Sequence, residues 1–245
     1  MVKIYSKVAF AKSSRKNKRA ALHEKEPLFP AASEPFLLAN GKTALVVVDL
    51  VNEFVRDGGI MQVKSAKPTL GANKRLIEFF RREGMPVVYT KVFSRYENIR
   101  VRFIKALRPE VLLRDKALVP GHRRYFKDIR KRLDVTDIVE EIYPEEGDYI
   151  VEKDLYDSFH GTSLDLLLRG LGIWYVVVTG TVTNVCVEST AKGAFSHGYF
   201  PVIVSDAVST DVPESYITDI YTHFKRHWGR VMMSDDVIKE LSCQI

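Results

Sequence analysis

The chain has 245 residues, a formal net charge of +6 at pH 7 and a hydrophobic fraction of 46%. This length and composition predict one domain with a substantial core. We see no apolar run long enough for a membrane-spanning helix or a signal peptide. The two cysteines, Cys186 and Cys243, exclude a disulfide framework, so we expect a protein of the reducing cytoplasm.

The net charge is concentrated at the start of the chain. Residues 1–26 contain eight Lys or Arg side chains against Glu24 and Glu26, which accounts for all of the +6. The basic run Ser13–Arg19 could bind nucleic acid or an acidic partner. No base-reading or stacking motif accompanies it. We therefore favour a solvated tail, or one packed on a neighbouring subunit, and assign residues 1–40 to a basic tail and linker.

A strand–helix–strand unit follows this linker and opens the domain at residues 41–245. Leu45–Asp49 is a short apolar run ending in a carboxylate, typical of a strand buried on both faces of a sheet. A helix is predicted from near Pro68 to Gly84. The next strand is predicted at Met85–Lys91, and the connection between the two strands should be a right-handed crossover.

A basic insertion at about 95–145 interrupts the α/β pattern. Residues 95–132 contain thirteen Lys or Arg and four acidic residues. The insertion could act as a lid whose cations bind a substrate carboxylate. Alternatively it is a helical arm whose charges pair with the acidic stretch Asp134–Asp148 or with another subunit. We favour pairing, because exposed charges are mostly structural or solvated. The arginines proposed for the lid are Arg100, Arg102, Arg123 and Arg124.

Two further strands would bring reactive side chains to the same edge as Asp49. Lys153 lies near the end of a short apolar segment, and Trp174–Val178 is a buried strand bounded by Gly180. A helix predicted from Asn184 places Cys186 in its first turn, where the helix dipole favours a thiolate. A lone cysteine is more often a small buried hydrophobe. The conjunction of Asp, Lys and Cys at three strand ends favours a catalytic site.

The final third of the chain completes the sheet. A fifth strand is predicted at Gly198–Val204, followed by a polar turn at Ser205–Thr210. Pro213 should open a helix running toward His227. Arg230–Met233 predicts a short edge strand, and Ser234 should cap a last helix through Leu241. The expected fold is an α/β three-layer αβα sandwich with a doubly wound, mostly parallel sheet of five or six strands.

At this point the chain resembles the isochorismatase-like cysteine hydrolases, which include nicotinamidases, N-carbamoylsarcosine amidases and ureidoacrylate amidohydrolases. The resemblance rests on ALVVVDLVNEF at Ala44–Phe54, on the segment Lys153–Asp165, on VTGTVTNVCVESTAKGA at Val178–Ala194 and on VIVSDAVS at Val202–Ser209. It covers roughly residues 40 to 245 apart from the insertion, and the Cys motif is its most specific part.

The resemblance implies roles for particular residues. Asp49, Lys153 and Cys186 match the family's catalytic triad. The backbone N–H groups of Val182 and Cys186 match its oxyanion hole, with a cis peptide bond between Thr181 and Val182. The remaining positions match the substrate pocket: Phe54, whose alternative role is core packing, with Tyr156 and Thr181.

Two positions depart from the family pattern. Val51 stands where the family usually has Gln, and Asp157 stands where it usually has Ser. Neither change removes a triad residue, so activity is expected while the substrate is less defined. From the sequence, Asp157 could either perturb the site or point away from it.

The resemblance also predicts a site without a metal or other cofactor. Nicotinamidase-type relatives carry an Asp and His cluster after the second strand, whereas this chain reads VFSRYENIR there. Only His122 of the six His lies between the second and third strands, and a metal site needs several convergent ligands.

We therefore expect a cysteine amidohydrolase that releases ammonia from a small amide or ureido compound. Its activity should be N-carbamoylsarcosine amidase-like or ureidoacrylate amidohydrolase-like. One alternative is an isochorismatase-type vinyl ether hydrolase, against which Cys186 argues. The other is a non-enzymatic binding protein on the same fold. The expected partners are a small, anionic substrate and further copies of the chain, as a dimer or tetramer, with no membrane or nucleic acid.

Overall fold

A central sheet of six parallel strands organises the protein. The computed structural model describes residues 35–93, 106 and 116–243. In chain order the strands of this sheet are Thr43–Val48 (β1), Val87–Val92 (β2), Tyr149–Lys153 (β5), Tyr175–Gly180 (β6), Phe200–Val208 (β7) and Arg230–Met232 (β8). Their spatial order is β5-β2-β1-β6-β7-β8, and every neighbouring pair is parallel. The predicted doubly wound α/β fold is confirmed.

Helices connect the strands and cover both faces of the sheet. They are Asn52–Val55 (α1), Ala66–Arg82 (α2), Leu164–Gly170 (α3), Glu188–Ser196 (α4), Glu214–His227 (α5) and Ser234–Ser242 (α6). A turn of 3₁₀-helix spans Glu140–Ile142, and a π-helical turn at Thr183–Val187 leads into α4. None of the helices in the described ranges is long and apolar enough to cross a membrane.

The core consists of two apolar layers, one on each face of the sheet. Side chains of β1 alternate between them: Leu45 and Val47 face the layer formed with α2 and α6, whereas Val46 and Val48 face the layer formed with α3, α4 and α5. Because both faces of β1 are buried, the strand carries apolar residues without interruption. This three-layer arrangement holds the carboxyl end of β1 rigidly at the centre of the sheet.

The strand order reverses at β1, which makes the carboxyl edge between β1 and β6 the switch point of the sheet. The chain runs from β1 outward to β2 and β5 on one side, and then to β6, β7 and β8 on the other. Ligands of doubly wound sheets bind in the crevice at such a point. The residues that follow β1 and β6 are therefore placed where a site is expected.

Strand β7 is longer than its sequence indicates. The predicted turn at Ser205–Thr210 was wrong for its first four residues, because β7 continues to Val208 after a register shift against β6. Within this polar stretch, the carboxylate of Asp206 accepts hydrogen bonds from the backbone N–H and the hydroxyl of Ser234, at 2.7 and 2.6 Å. Asp206 thus caps α6, while Ser234 is the first residue of that helix rather than its cap.

The described part of the insertion contains a β-hairpin. Strands Arg123–Phe126 (β3) and Lys131–Asp134 (β4) pair antiparallel in a separate two-stranded sheet. The helical arm expected here is therefore wrong for residues 123–134. Arg100 and Arg102, most of residues 94–115 and the basic tail lie outside the described residues, so the predictions made for them stay predictions. The hydrolase domain expected from residue 41 falls within one compact unit, Glu34–Ile245.

Candidate active site

The carboxylate of Asp49 is fixed at the carboxyl end of β1. Asp49 adopts a left-handed backbone conformation with φ of 51°, which an Asp tolerates better than most residues, and it is fully buried. Its carbonyl accepts a hydrogen bond from the N–H of Val51 at 2.8 Å. The tight turn after β1 therefore directs the Asp49 side chain into the protein and not into solvent.

A close approach of β6 to β1 brings the segment before Cys186 next to Asp49. Gly180 has φ of 108°, and a Cβ atom at this position would collide with the backbone of Val48. Only glycine fits both conditions. Immediately afterwards, the N–H of Thr181 donates to the carbonyl of Val48 at 2.9 Å. The segments that carry Asp49 and Cys186 are thereby held against each other.

Lys153, the last residue of β5, forms a buried ion pair with Asp49. Its Nζ lies 2.7 Å from Asp49 Oδ2, and both side chains are fully buried. The ammonium also donates to the carbonyls of Leu155 and Tyr156, at 2.9 and 3.0 Å. Burial alone would lower the pKa of Lys153, but the charge of Asp49 and the interaction with Cys186 raise it above its ordinary value. Lys153 is a fixed cation of the site.

Cys186 completes a cluster with these two side chains. It lies in the π-helical turn, is buried, and its thiol interacts electrostatically and by hydrogen bonding with both Asp49 and Lys153. Burial raises the pKa of the thiol to about 12, and the charge of Asp49 adds to this, whereas Lys153 opposes it. The thiolate expected from the helix dipole was therefore wrong for the resting site, where desolvation dominates and Cys186 is a thiol.

The helix carrying Cys186 also begins differently from the prediction. A π-helical turn spans Thr183–Val187, and regular α-helix starts only at Glu188. The carbonyl of Val182 accepts the N–H groups of Val185 and Val187, both at 3.1 Å. This wider turn places Cys186 at the entrance of α4, as expected, although the geometry is not that of a regular first turn.

The expected cis peptide bond between Thr181 and Val182 is present. Within the described part of the chain, the N–H of Val182 donates to no protein acceptor. An N–H group without an acceptor beside a nucleophile can stabilise a developing oxyanion. The position of the Val182 N–H allows this role, and the assignment of Val182 and Cys186 as oxyanion donors stays a prediction.

The three predicted substrate-binding residues lie in different environments. Phe54 is 6% exposed and packs in the core, so its pocket role and its packing role both remain compatible with its position. Tyr156 is 41% exposed and contributes its carbonyl to Lys153. Thr181 is fully buried, and its hydroxyl accepts a hydrogen bond from Ser209. The role of these three residues in substrate binding stays a prediction.

A pair of hydroxyl groups anchors the loop that supplies carbonyls to Lys153. Thr190 Oγ1 accepts the N–H of Ser158 at 3.1 Å and lies 2.8 Å from Ser158 Oγ, and both residues are fully buried. Thr190 is one turn beyond Cys186 on α4. The anchor therefore couples the positions of Lys153 and Cys186, and sequence reasoning missed it because Ser and Thr are common in loops and helices.

The side chain of Asp157 points toward α4. Its carboxylate accepts the N–H of Phe159 at 2.9 Å and occupies the space that a side chain at position 193 would need, which explains Gly193 there. The departure from the family pattern at position 157 is therefore accommodated by a glycine on the facing helix.

Two of the arginines proposed for the lid, Arg123 and Arg124, are engaged by the protein itself. The Nε of Arg124 donates to the buried carboxylate of Glu53 at 3.3 Å, and Arg123 donates to the carbonyl of Arg132 at 2.7 Å. Lys131 pairs with Glu140 in the acidic stretch at 3.1 Å. These contacts favour intramolecular pairing over a lid for residues 123–131.

No group of three or more His, Cys, Asp or Glu side chains in the described ranges could hold a metal ion. The expected independence from metals and cofactors remains a prediction, because part of the insertion lies outside those ranges.

Comparison with known proteins identifies the family to which this site belongs. The model of the isochorismatase domain matches residues 43–235, most of the chain. The chain belongs to the isochorismatase family. The residues matched include the whole sheet and all three members of the Asp–Lys–Cys cluster, so the resemblance inferred from the motifs is confirmed.

Individual relatives narrow the class within the family. The chain is 31% identical over 203 residues to ureidoacrylate amidohydrolase RutB of Serratia proteamaculans (strain 568), covering 76% of this chain and 77% of that protein. A cysteine hydrolase structure from Pseudomonas syringae pv. phaseolicola 1448A superposes with a TM-score of 0.76 at 25% identity, covering 86% and 98%. N-carbamoylsarcosine amidase from Thermoplasma acidophilum gives 0.62 at 34% identity, covering 79% and 97%.

This isochorismatase-family chain is therefore a hydrolase, and the expected amidohydrolase class, acting on carbon–nitrogen bonds other than peptide bonds, is confirmed at that level.

Proposed function

We propose that the chain is a metal-independent cysteine amidohydrolase that cleaves a small ureido or carbamoyl compound and releases ammonia through a thioester on Cys186. The observation that carries the proposal is the buried cluster of Asp49, Lys153 and Cys186 at the switch point of the sheet. It combines a nucleophile, a carboxylate and a fixed cation, which is what nucleophilic catalysis of acyl transfer needs.

The first step is proton transfer within the cluster. Because Cys186 rests as a thiol, it must lose its proton before it attacks, and Asp49 is the carboxylate in contact with it. Lys153 stays charged throughout and stabilises the thiolate as it forms. The sulfur then bonds to the carbonyl carbon of the substrate, and the carbonyl electrons move to its oxygen.

The following steps release the two products. The N–H groups of Val182 and Cys186 stabilise the oxyanion. Asp49 returns its proton to the leaving nitrogen as the carbon–nitrogen bond breaks, because ammonia leaves poorly unless it is protonated. Water, deprotonated by the same carboxylate, attacks the thioester. The carbon–sulfur bond breaks, Cys186 regains a proton and the acid is released.

The names of the relatives support a ureido or carbamoyl substrate in particular. RutB of Serratia proteamaculans is a ureidoacrylate amidohydrolase, and the Thermoplasma protein is an N-carbamoylsarcosine amidase. Both names describe an amide of carbonic acid attached to a small carboxylate. An anionic substrate would also suit the excess of cations in residues 95–132. The expected homo-oligomeric state stays a prediction, which light scattering of the purified protein would test.

The decisive experiment is ammonia release from a small panel of substrates. The panel contains ureidoacrylate, N-carbamoylsarcosine, nicotinamide and an aliphatic amide, assayed with EDTA and without added metal. The matched variants are Cys186→Ala and Cys243→Ala, since Cys243 is the exposed second cysteine. We expect turnover of a ureido or carbamoyl member that disappears only in Cys186→Ala. Cleavage of a vinyl ether with or without Cys186, and of no amide, would refute the proposal.

A further inference from the structure

Strand β2 lies between the two strands that carry the charged pair. The sheet order places β2 next to both β1 and β5, with Val48 paired to Thr90 and Val92 paired to Lys153. A side chain of β2 near its carboxyl end therefore lies beside the ion pair of Asp49 and Lys153. Thr90 occupies that position and is 1% exposed.

The hydroxyl of Thr90 makes two hydrogen bonds to the same residue, Asp49. The N–H of Asp49 donates to Thr90 Oγ1 at 3.2 Å, and Thr90 Oγ1 donates to Asp49 Oδ1 at 2.8 Å. A backbone N–H can only donate, so it occupies a lone pair of the hydroxyl and leaves the single hydroxyl hydrogen for Oδ1. The direction of both hydrogen bonds is therefore fixed.

These contacts make the two carboxylate oxygens of Asp49 different. Oδ1 accepts the hydroxyl hydrogen of Thr90, whereas Oδ2 faces the ammonium of Lys153 at 2.7 Å. Oδ2 has two lone pairs, and this contact uses one of them. Oδ2 therefore keeps a lone pair for a proton within the described structure. A base that collects a proton from sulfur and delivers it to nitrogen must present the same oxygen to both.

We propose that Thr90 is a positioning residue for the proposed reaction, which orients Asp49 so that Oδ2, and not Oδ1, receives the proton of Cys186. This inference rests on the proposed function. The hydrogen bond from Thr90 also places a donor next to the negative charge of the carboxylate. In the step concerned, the S–H bond of Cys186 breaks, an O–H bond forms at Oδ2, and the electron pair left on sulfur makes the bond to the electrophilic carbon.

The test compares Thr90→Val, which removes the hydroxyl at nearly constant shape, with Thr90→Ser, which keeps it. We expect kcat/KM of Thr90→Val to fall about 10- to 100-fold, because a buried hydrogen bond to a charged group is lost. The acidic limb of its pH profile should move to higher pH, because the substitution removes a hydrogen-bond donor next to the carboxylate charge. Thr90→Ser should retain the wild-type limb and at least about a third of the wild-type activity, since the hydroxyl remains.

A second readout does not depend on knowing the substrate. Iodoacetamide alkylates Cys186 when the thiol proton moves to Asp49 and iodide leaves, so the alkylation rate reports the same transfer. Mass spectrometry of the peptide containing Cys186 separates this reaction from that of Cys243. The acidic limb of alkylation should also move to higher pH in Thr90→Val and not in Thr90→Ser. This shift would be measurable even if the protein hydrolysed no amide in the panel. Failure of the proposed function can therefore be distinguished from failure of the inference about Thr90.

Three results would overturn the inference. The first is a Thr90→Val enzyme with unchanged kcat/KM and pH profile. The second is an equal loss of kcat/KM in Thr90→Val and Thr90→Ser, and the third is a loss in Thr90→Val without a shift of the acidic limb. The second and third results would indicate that Thr90 contributes packing alone. Circular dichroism and melting temperature establish that each variant is folded. If Thr90→Val does not fold, Thr90→Ala takes its place and must show the same loss and the same shift.

Discussion

The resting state of Cys186 can be tested through the stability of the protein at alkaline pH. Burial raises the pKa of this thiol from 9.0 to about 12. Below pH 9 the thiol is protonated in both the folded and the unfolded chain, so its contribution to stability is fully present. Above pH 9 the unfolded chain releases the proton while the folded protein retains it, and the contribution is lost progressively until pH reaches the folded value.

The size of this effect follows from the same two pKa values. Between pH 7 and pH 10 the wild-type protein should lose about 1 kcal/mol of unfolding free energy that a protein without this thiol does not lose. Only a folded pKa well above 10 is needed for this result, so the figure does not depend on the upper value. The matched variant is Cys186→Ala, which keeps Cys243 and all lysines and tyrosines that titrate in the same range.

Urea denaturation followed by circular dichroism at pH 7, 8, 9 and 10 measures the difference. The free energy of unfolding should fall more steeply with pH in the wild type than in Cys186→Ala, whatever the constant cost of the cavity. Parallel pH dependences would refute the reasoning. They would mean that the folded protein and the unfolded chain release the thiol proton over the same pH range. A wild-type stability that rises relative to Cys186→Ala between pH 7 and pH 9 would mean that Lys153 outweighs burial and that Cys186 rests as a thiolate, in which case no base is required for the attack.

Three further predictions concern residues that support the site. Lys153→Met should abolish turnover and destabilise the protein by about 3–5 kcal/mol in urea titrations, because the carboxylate of Asp49 is left buried and unpaired. Adding Asp49→Leu should recover most of the stability and none of the activity. Thr190→Val should cost about 2 kcal/mol and lower kcat, because the loop before Ser158 loses its anchor, and a Thr190→Ser protein with the same losses would contradict this explanation. Asp206→Ala should remove about 1 kcal/mol by uncapping α6 and leave kcat unchanged, so a large fall in turnover would show that the cap is not its only role.

The strands that carry the residues of the cluster could be predicted because their apolar composition indicates that they are buried. Leu45–Asp49 and the run ending at Gly180 are apolar on both faces, as parallel strands covered by helices must be. Polar residues directly after such strands must lie at the carboxyl edge. The positions of Asp49 and Cys186 at this edge therefore follow from the sequence alone, and the reversal of strand order at β1 explains why the two residues meet.

What could not be predicted depends on contacts distant in sequence. Asp206 looks like a turn residue, but its partner Ser234 lies 28 positions away and stabilises a strand where a turn was expected. The hairpin at 123–134 carries charges on both strands and lacks the alternation that identifies an amphipathic strand. Nothing in the sequence distinguishes Thr90 from other strand residues, because its partner, Asp49, follows the neighbouring strand β1. The protonation of Cys186 depends on desolvation, which spacing alone does not reveal.

In the proposed mechanism, the charges of the cluster explain how a buried site can hold the proposed nucleophile, Cys186, and the proposed base, Asp49, together. At rest Asp49 is the carboxylate, Lys153 the cation and Cys186 the neutral thiol, so the net charge is zero. After proton transfer the acid of Asp49 is neutral, the sulfur is negative and Lys153 is unchanged, so the net charge is again zero. The buried cluster therefore never gains an uncompensated ion, which would be costly. Burial opposes an isolated thiolate but penalises this internal exchange far less, as long as Lys153 stays in contact with both Asp49 and Cys186.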